Sequence, residues 1–387
     1  MSEHALRVAV DARCLNTEHL RGMGKSLYEL IARTAESGAI EWHLFGDRPD
    51  RPFHAPHPSC HVDVFETRGY RFAAWEQLSL PRAAQRVRAD ILHAPATSMP
   101  WWQPVPTAVT IHDTIPWQSN QDAHWPPGFY RDHLLPSAYH RASAIMTVSH
   151  TSRRDIVARW PALEPKLHVI SPGVDQRYLE AEPSLRPIEL GDRVLREPYL
   201  LYLGGADPRK RLTWALQAWW TSAEARRAAF VICGAEASSH EAIRRSVPRE
   251  LQERLIIAPF IAEDVMPQLY MRATAVLYPS LYEGFGLPVI EAHAVGTPIL
   301  FSDVGSLSEL KGPAAVVLPV DDLAAWSRAL DLIAQAAPAR RGPDRIARAW
   351  AQQYSWDAYT DRTLKVYASL VKQRPAHARP VDTRTAS

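Results

Sequence analysis

Short apolar runs of strand length alternate with longer stretches of helical period, twice over along this chain. That alternation restricts the fold more than any other feature, because strand–helix–strand units build parallel sheets with helices on both faces. In the first half, "LRVAV" (6–10), "EWHLF" (41–45), "ADILHA" (89–94), "TAVTIH" (107–112), "AIMTVS" (144–149) and "LHVIS" (167–171) read as strands, with helices near 25–36, 76–87, 129–141 and 151–159. In the second half the strands are "PYLLYLG" (198–204), "AFVICG" (229–234), "RLIIAP" (254–259), "AVLYPS" (275–280), "PILFSD" (298–303) and "AAVVLP" (314–319). The helices there are 211–224, 240–252, 263–273, 287–295 and 321–335. At 387 residues the chain exceeds one ordinary domain, so two doubly wound α/β domains are expected. The segment 172–198, rich in Pro, Gly and charge, reads as the linker. Ligands of such sheets bind beyond the carboxyl ends of the strands, so a cleft between two of them is the expected site.

Composition narrows the function classes. A net charge of +2 and a pI near 8.4 argue against nucleic acid as the main partner. Cys14, Cys60 and Cys233 are scattered without a CxxC pair, so neither a disulfide framework nor a zinc site is expected. The opening "MSEHALRVAVDAR" lacks the apolar run of a signal peptide, and no apolar stretch has the length of a membrane span. A cytoplasmic chain is expected.

Four stretches carry chemistry. After the first strand, Gly22 and Gly24 in "RGMGKSLYEL" precede a helix, which suits either a plain turn or an anion at the helix start. The spacing is neither a P-loop nor the dinucleotide fingerprint. In "YLGGADPRKRLTWAL", Arg209, Lys210 and Arg211 crowd the start of a helix. Three cations there oppose the helix dipole unless an anion sits among them, so a solvated turn or a diphosphate pocket follows. In "PSLYEGFGLPVIEAHAVGTPIL", Glu283 and Glu291 flank a glycine turn, and Pro288 marks a helix start. Their carboxylates cannot share one helical face. They suit a ligand with hydroxyls at both ends and an anion between, held by the N–H groups of Phe285, Gly286 and Leu287. In "TIHDTIPW", His112 and Asp113 stand at a strand's carboxyl end, where either a structural or a site role is open.

Together these residues resemble the retaining nucleotide-sugar glycosyltransferases of family 4, which have the GT-B fold of two Rossmann-like domains facing a cleft. The E-x7-E motif is matched by Glu283 and Glu291, the phosphate motif by "GGADPRKR", the glycine loop by "RGMGKSLYEL" and the His-bearing strand end by "TIHDTIP". "WEQLSLPRAAQRVRADILHAP" (75–95), "ASAIMTVSHTSRRDI" (142–156), "ISPGVD" (170–175) and "YSWDAYTDRTLKVYASL" (354–370) are also similar to family segments. The WEQL and TIHD segments resemble the mannosyltransferase B-like subgroup of O-antigen and polysaccharide glycosyltransferases. The resemblance implies an acceptor-side domain at 1–185, a nucleotide-sugar domain at 186–355, a helix at 356–372 returning to the first domain, and a disordered tail at 373–387.

It also implies roles. Lys210 would neutralise the donor diphosphate. An arginine that family members often carry directly after the strand-end glycine is replaced here by Gly205, so Arg209 or Arg211 would substitute. Glu291 would hold the ribose, and Glu283 would approach the transferred sugar with Gly284 beside it. Phe285, Gly286 and Leu287 would offer N–H groups, Gly22 and Gly24 would line the diphosphate, and Phe260 and Ile261 would receive the base. His112 would lie near the reacting sugar and Asp113 near the acceptor. The implied partners are a nucleotide-sugar donor, GDP-mannose favoured over UDP- or dTDP-sugars, and a saccharide or lipid-linked acceptor. No cofactor and no metal are implied, and the chain has no Asp-x-Asp. A nucleotide-sugar epimerase and a non-catalytic donor-binding subunit remain the competing readings. Trp101, Trp102, Trp117 and Trp125, with Arg82, Arg86 and Arg88, suit either core packing and a solvated helix face or contact with an anionic membrane surface.

Overall fold

Two parallel sheets account for the strand-length apolar runs. The computed structural model describes residues 5–67, 69, 71–118, 128–184, 186–191, 193–195, 198–258, 261–337 and 344–372. Phe260, Trp125 and the tail 373–387 therefore lie outside the described residues. Contacts divide the chain into one unit of residues 1–171 that resumes at Trp356, and a second spanning Pro172–Ser355.

The first unit holds strands β1 (Leu6–Asp11), β2 (Ile40–Gly46), β3 (His61–Val64), β4 (Ile91–Ala94), β5 (Thr107–Thr110), β6 (Ala144–Thr147) and β7 (Leu167–Val169), in the order β3-β2-β1-β4-β5-β6-β7. Every neighbouring pair is parallel. Val8, Val10, Trp42 and Leu44 pack on one face with Leu27, Leu30 and Ile31 of the helix Gly22–Thr34. The helix Trp356–Lys372 buries Trp356, Tyr359, Val366, Tyr367 and Leu370 in the same core, and Arg33 donates to Asp357 at 2.8 Å. On the other face Ala9, Phe45 and Leu92 meet Trp75 and Leu80. The helix read at 76–87 is longer and in two parts, π-helical turns over Arg71–Ser79 followed by α-helix Leu80–Arg86.

The first strands of the second unit form a hairpin, β8 (Ile188–Leu190) and β9 (Arg193–Leu195). Then follow β10 (Tyr199–Leu203), β11 (Ala229–Cys233), β12 (Leu255–Ile257), β13 (Ala275–Tyr278), β14 (Ile299–Ser302) and β15 (Ala315–Leu318), in the order β12-β11-β10-β13-β14-β15. The helix read at 240–252 stops at Arg245, and 3-10 turns resume at Arg249. Pro248 supplies the reason, since it lacks an N–H and biases its neighbour away from helix.

The 172–198 segment belongs to this unit, so the first unit ends at Ser171 rather than near residue 185. Asp175 accepts from Arg177 N at 2.9 Å and caps a turn of helix, Tyr178 packs edge-on to Tyr270 at 5.5 Å, and Arg348 donates to Ala181 O at 2.7 Å. The three cysteines are free, and Cys233 is buried, which pushes its thiol up to about 12. Among the described residues no helix is long and apolar enough to cross a membrane.

Candidate functional site

In the second sheet the strand order reverses at β10: β11 and β12 lie on one side, β13 to β15 on the other. The crevice beyond the carboxyl ends of β10 and β13 is the place where such sheets bind ligands. The chain leaves β10 through Gly204 and Gly205. Gly205 has φ +62°, and a Cβ there would fall 2.4 Å from Gly234 O. No larger residue fits here without moving the β11 loop.

Asp207 accepts from Arg209 N at 2.9 Å and opens a 3-10 turn over Pro208–Lys210. Arg209 Nη1 then reaches Glu283 Oε1 at 2.9 Å and Tyr282 O at 2.5 Å, while Arg209 O accepts from Leu281 N at 2.9 Å. Burial works against the Arg209 charge, but Glu283 and Asp207 outweigh it and raise the guanidinium further. Lys210 Nζ stands 3.9 Å from Glu283 Oε1 and 5.5 Å from the Tyr278 ring centre. Arg211 turns elsewhere: it donates to Val320 O at 2.5 Å and Asp321 at 3.2 Å, stacked 3.9 Å from the Trp214 ring. Of the two arginines open on the sequence, Arg209 is the one beside Glu283.

Glu283 also accepts from Ser280 Oγ at 2.8 Å. Ser306 Oγ lies 2.6 Å from Glu283 O and 2.7 Å from Phe285 O, which pins the glycine turn from behind. Phe285 is buried edge-on to Tyr354 at 5.8 Å, so the residue presents its backbone rather than its ring. Gly286, at φ +130°, enters the helix Leu287–Ala294 with Pro288 in its first turn. Phe285, Gly286 and Leu287 thus stand at a helix start, where N–H groups lack intrahelical acceptors. Gly284 is buried beside them.

Glu291 lies further along this helix and is 9% exposed. Tyr270 donates to its Oε2 at 2.6 Å. Burial first, and then the Glu291 charge, hold the hydroxyls of Tyr270 and Tyr178 well above their ordinary range, so both stay protonated donors. The two glutamates sit in separate networks, one cationic and one phenolic, on either side of the turn. Ile261, half-buried, follows β12.

In the first sheet the order reverses between β1 and β4. There the sequence reading missed a buried network. Arg13 Nη2 donates to Asp11 Oδ2 at 2.5 Å, Glu76 Oε2 at 2.5 Å and Ser98 Oγ at 2.9 Å, and Tyr130 donates to Glu76 at 2.5 Å. The guanidinium lies 4.8 Å from the Trp75 ring centre and 5.2 Å from Phe72. Glu76 and Tyr130 both ride on π-helical turns, which are often found at functional sites. The available signal was Glu76 within "WEQL", an acidic residue among apolar neighbours.

His112 and Asp113 follow β5 on the same carboxyl edge. His112 Nε2 contacts Pro95 O at 2.8 Å, its carbonyl accepts from Ser152 Oγ at 2.8 Å, and burial pushes its pKa down while the Pro95 bond raises it. The ring is accordingly neutral at pH 7, with Nε2 carrying the proton. Asp113 Oδ1 accepts from Ile115 N at 2.9 Å. Gly22 is exposed and Gly24 buried at the start of the Gly22 helix, which begins three residues earlier than the reading near Lys25.

Of the aromatic and basic cluster, Trp117 packs edge-on to Trp160 at 4.9 Å, whereas Trp101 is 41% exposed under Arg141 at 4.4 Å. Arg82, Arg86 and Arg88 are exposed, with Arg86 paired to Asp63 at 2.9 Å.

Two Rossmann-like parallel sheets with polar residues at their switch points define the GT-B class. Residues 20–178 match a family model described as Glycosyltransferase Family 4, and residues 197–335 match one described as Glycosyl transferases group 1. The two models together account for more than half of the chain, which belongs to the family 4 glycosyltransferases. O-antigen chain mannosyltransferase B of Escherichia coli is 30% identical over 249 residues, 62% of this chain and 64% of that protein. O-antigen chain mannosyltransferase RfbU of Salmonella typhimurium is 26% identical over 247 residues, 62% of each chain. The matched stretches therefore span just under two thirds of these relatives. Among solved structures, sucrose-phosphate synthase from Thermosynechococcus elongatus has a TM-score of 0.74 at 17% identity, covering 96% of this chain and 100% of that one. Anabaena HepE in complex with UDP and glucose has a TM-score of 0.70 at 16% identity, covering 95% and 100%. These two share the fold.

Proposed function

We propose that this chain is a retaining hexosyltransferase that moves mannose from GDP-mannose to a saccharide or lipid-linked saccharide acceptor in cell-surface polysaccharide synthesis. The observation that carries it is the convergence of Arg209, Lys210 and Glu283 at a sheet switch point, beside a helix start. Family membership and the two O-antigen mannosyltransferase relatives support the sugar assignment.

In this reading the bond between the anomeric carbon and the diphosphate oxygen breaks, and the acceptor hydroxyl forms its bond on the same face. The hydroxyl proton passes to the departing phosphate. Lys210 and Arg209, with the N–H groups of Phe285 to Leu287, receive the charge that develops on the leaving group. Glu283, compensated by cations before donor arrives, turns to the sugar hydroxyls, and Glu291 holds the ribose. Gly22 and Gly24 line the diphosphate, Phe260 and Ile261 meet the base, His112 serves the reacting sugar and Asp113 the acceptor. The cationic pair supplies the charge a metal would otherwise bring, so turnover is expected to survive EDTA. The steric demand at Gly205 supports the catalytic reading over a non-catalytic subunit. Exposed Trp101 and the exposed arginines support peripheral contact with an anionic membrane, which vesicle sedimentation checks.

The test is a thermal-shift screen of GDP-mannose against UDP- and dTDP-sugars, followed by anomeric analysis of the product by NMR. GDP-mannose is expected to raise Tm most, by mass action on the native state. No shift and no transfer with GDP-mannose would overturn the donor assignment, and an inverted anomer would overturn retention.

A further inference from the structure

A second cluster lies at the outer edge of the first sheet, apart from the candidate site. Glu41 and His43 are two residues apart on β2 and so project from one face. His61 opens edge strand β3 and is the register partner of His43. The two imidazoles stack at 4.8 Å with 16° between planes. His43 Nε2 lies 2.9 Å and His61 Nε2 3.8 Å from the same oxygen, Glu41 Oε1. The other oxygen, Oε2, accepts from Arg7 Nε at 3.0 Å, which leaves Oε1 turned toward both rings.

These ligand atoms all fall within 4.8 Å of one another. Bonds of about 2.0–2.1 Å in tetrahedral array need ligand atoms about 3.3–3.4 Å apart, so the three groups would draw together by up to about 1.5 Å around an ion. Two imidazoles and one carboxylate are a donor set for a borderline transition ion, and three protein ligands leave a position for water. Oxygen-seeking cations such as magnesium want more carboxylate and carbonyl oxygen. Glu41 and His61 lie near the amino ends of β2 and β3 and His43 at the middle of β2, away from the carboxyl edge that carries His112.

We propose that Glu41, His43 and His61 form a binding site for a divalent transition ion of the zinc class, which ties edge strand β3 to β2. β3 needs such a tie: three of its four residues are exposed, and it has a neighbour on one side only.

The experiment uses tag-free, chelator-treated full-length protein. Wild type is expected to bind one Co2+ with visible d–d absorption and to bind Zn2+ in competition with a chromogenic indicator. Amide exchange over β3 should slow on Zn2+ addition. His61→Ala should abolish the Co2+ spectrum and the Zn2+-dependent protection, and Glu41→Gln should weaken Zn2+ by about tenfold or more, as loss of a ligand does at minimum. Cys60→Ser, which alters the neighbouring thiol and no ligand, should bind as wild type does. His61 has a side chain 62% exposed, so its replacement leaves the core intact, and far-UV circular dichroism checks this. Absence of Co2+ and Zn2+ binding in wild type overturns the proposal. So does one-to-one binding that survives His61→Ala, or β3 exchange that Zn2+ does not change.

Discussion

At the scale of single residues, the donor assignment rests on charges whose partners are known. Among the described residues Lys210 makes no ion pair closer than 3.9 Å to Glu283, and it is 23% exposed, so Lys210→Ala should leave Tm nearly unchanged. On the proposed function its effect belongs to the transition state. Removing one preorganised electrostatic donor typically lowers kcat by about 10²–10³, and a transfer assay at saturating donor is expected to read that loss. Tyr270→Phe should behave in the opposite way. It strips a 2.6 Å donor from the buried Glu291 carboxylate, which costs about 1–3 kcal/mol of stability and is measured by urea denaturation. Gly205→Arg separates sequence logic from structural logic. It restores the arginine expected from the family, but at φ +62° and 2.4 Å from Gly234 O. The outcome expected is a lower Tm without added activity, because backbone rather than a flexible side chain would have to move.

At the scale of elements, the returning helix Trp356–Lys372 is held by one buried polar contact as well as by its apolar face. Tyr367 OH meets His93 Nδ1 at 2.7 Å, and His93 Nε2 meets Thr110 Oγ1 at 3.1 Å. Burial, with a smaller push from His112, lowers His93 from 6.5 to about 3. Between those values the unfolded chain binds the proton and the native one does not. Stability is therefore flat above pH 6.5 and falls as pH drops from there toward 3. His112, His168 and His293 are shifted the same way by burial. Denaturant midpoints at pH 7, 6 and 5 should fall in turn, and His93→Gln should flatten the slope. The same element shows what sequence can and cannot reveal. Apolar periodicity located the helix-covered strands, because burial on both faces writes itself as an apolar run. β3 escaped because "HVDV" is an exposed edge strand, and the β8–β9 hairpin escaped inside a segment read as linker. The Arg13–Glu76–Tyr130 network escaped because its members are 63 and 54 residues apart and meet only through packing. That Lys210, Glu283 and Glu291 lie beyond strand ends was legible because short turns place them, whereas the position of Arg209 rather than Arg211 beside Glu283 needed the conformation of the 208–211 turn.

At the scale of the whole molecule, the two units differ in how the chain supplies them. The second is continuous, Pro172–Ser355, while the first lacks part of its core until Trp356. Trp356, Tyr359, Val366, Tyr367 and Leu370 are each no more than 5% exposed in that core. Burying such side chains contributes about 1.5–3 kcal/mol apiece, so the five together rival the entire stability of an ordinary domain, about 5–15 kcal/mol. A fragment of residues 1–171 is accordingly expected to show no cooperative thermal transition, and fusing 356–372 behind a flexible linker should restore one. The 172–355 fragment should melt cooperatively by itself. It carries Arg209 and Lys210 in the turn after β10, and Glu283 and Glu291 in the turn and helix after β13, so on the proposed function GDP should raise its Tm even without the first unit. On the proposed function transfer should be absent from it, because His112 and Asp113, which follow β5, belong to the other unit. A folded 172–355 fragment indifferent to GDP and to other nucleoside diphosphates would remove the phosphate assignment from the β10 and β13 turns, whatever the full chain does with sugars.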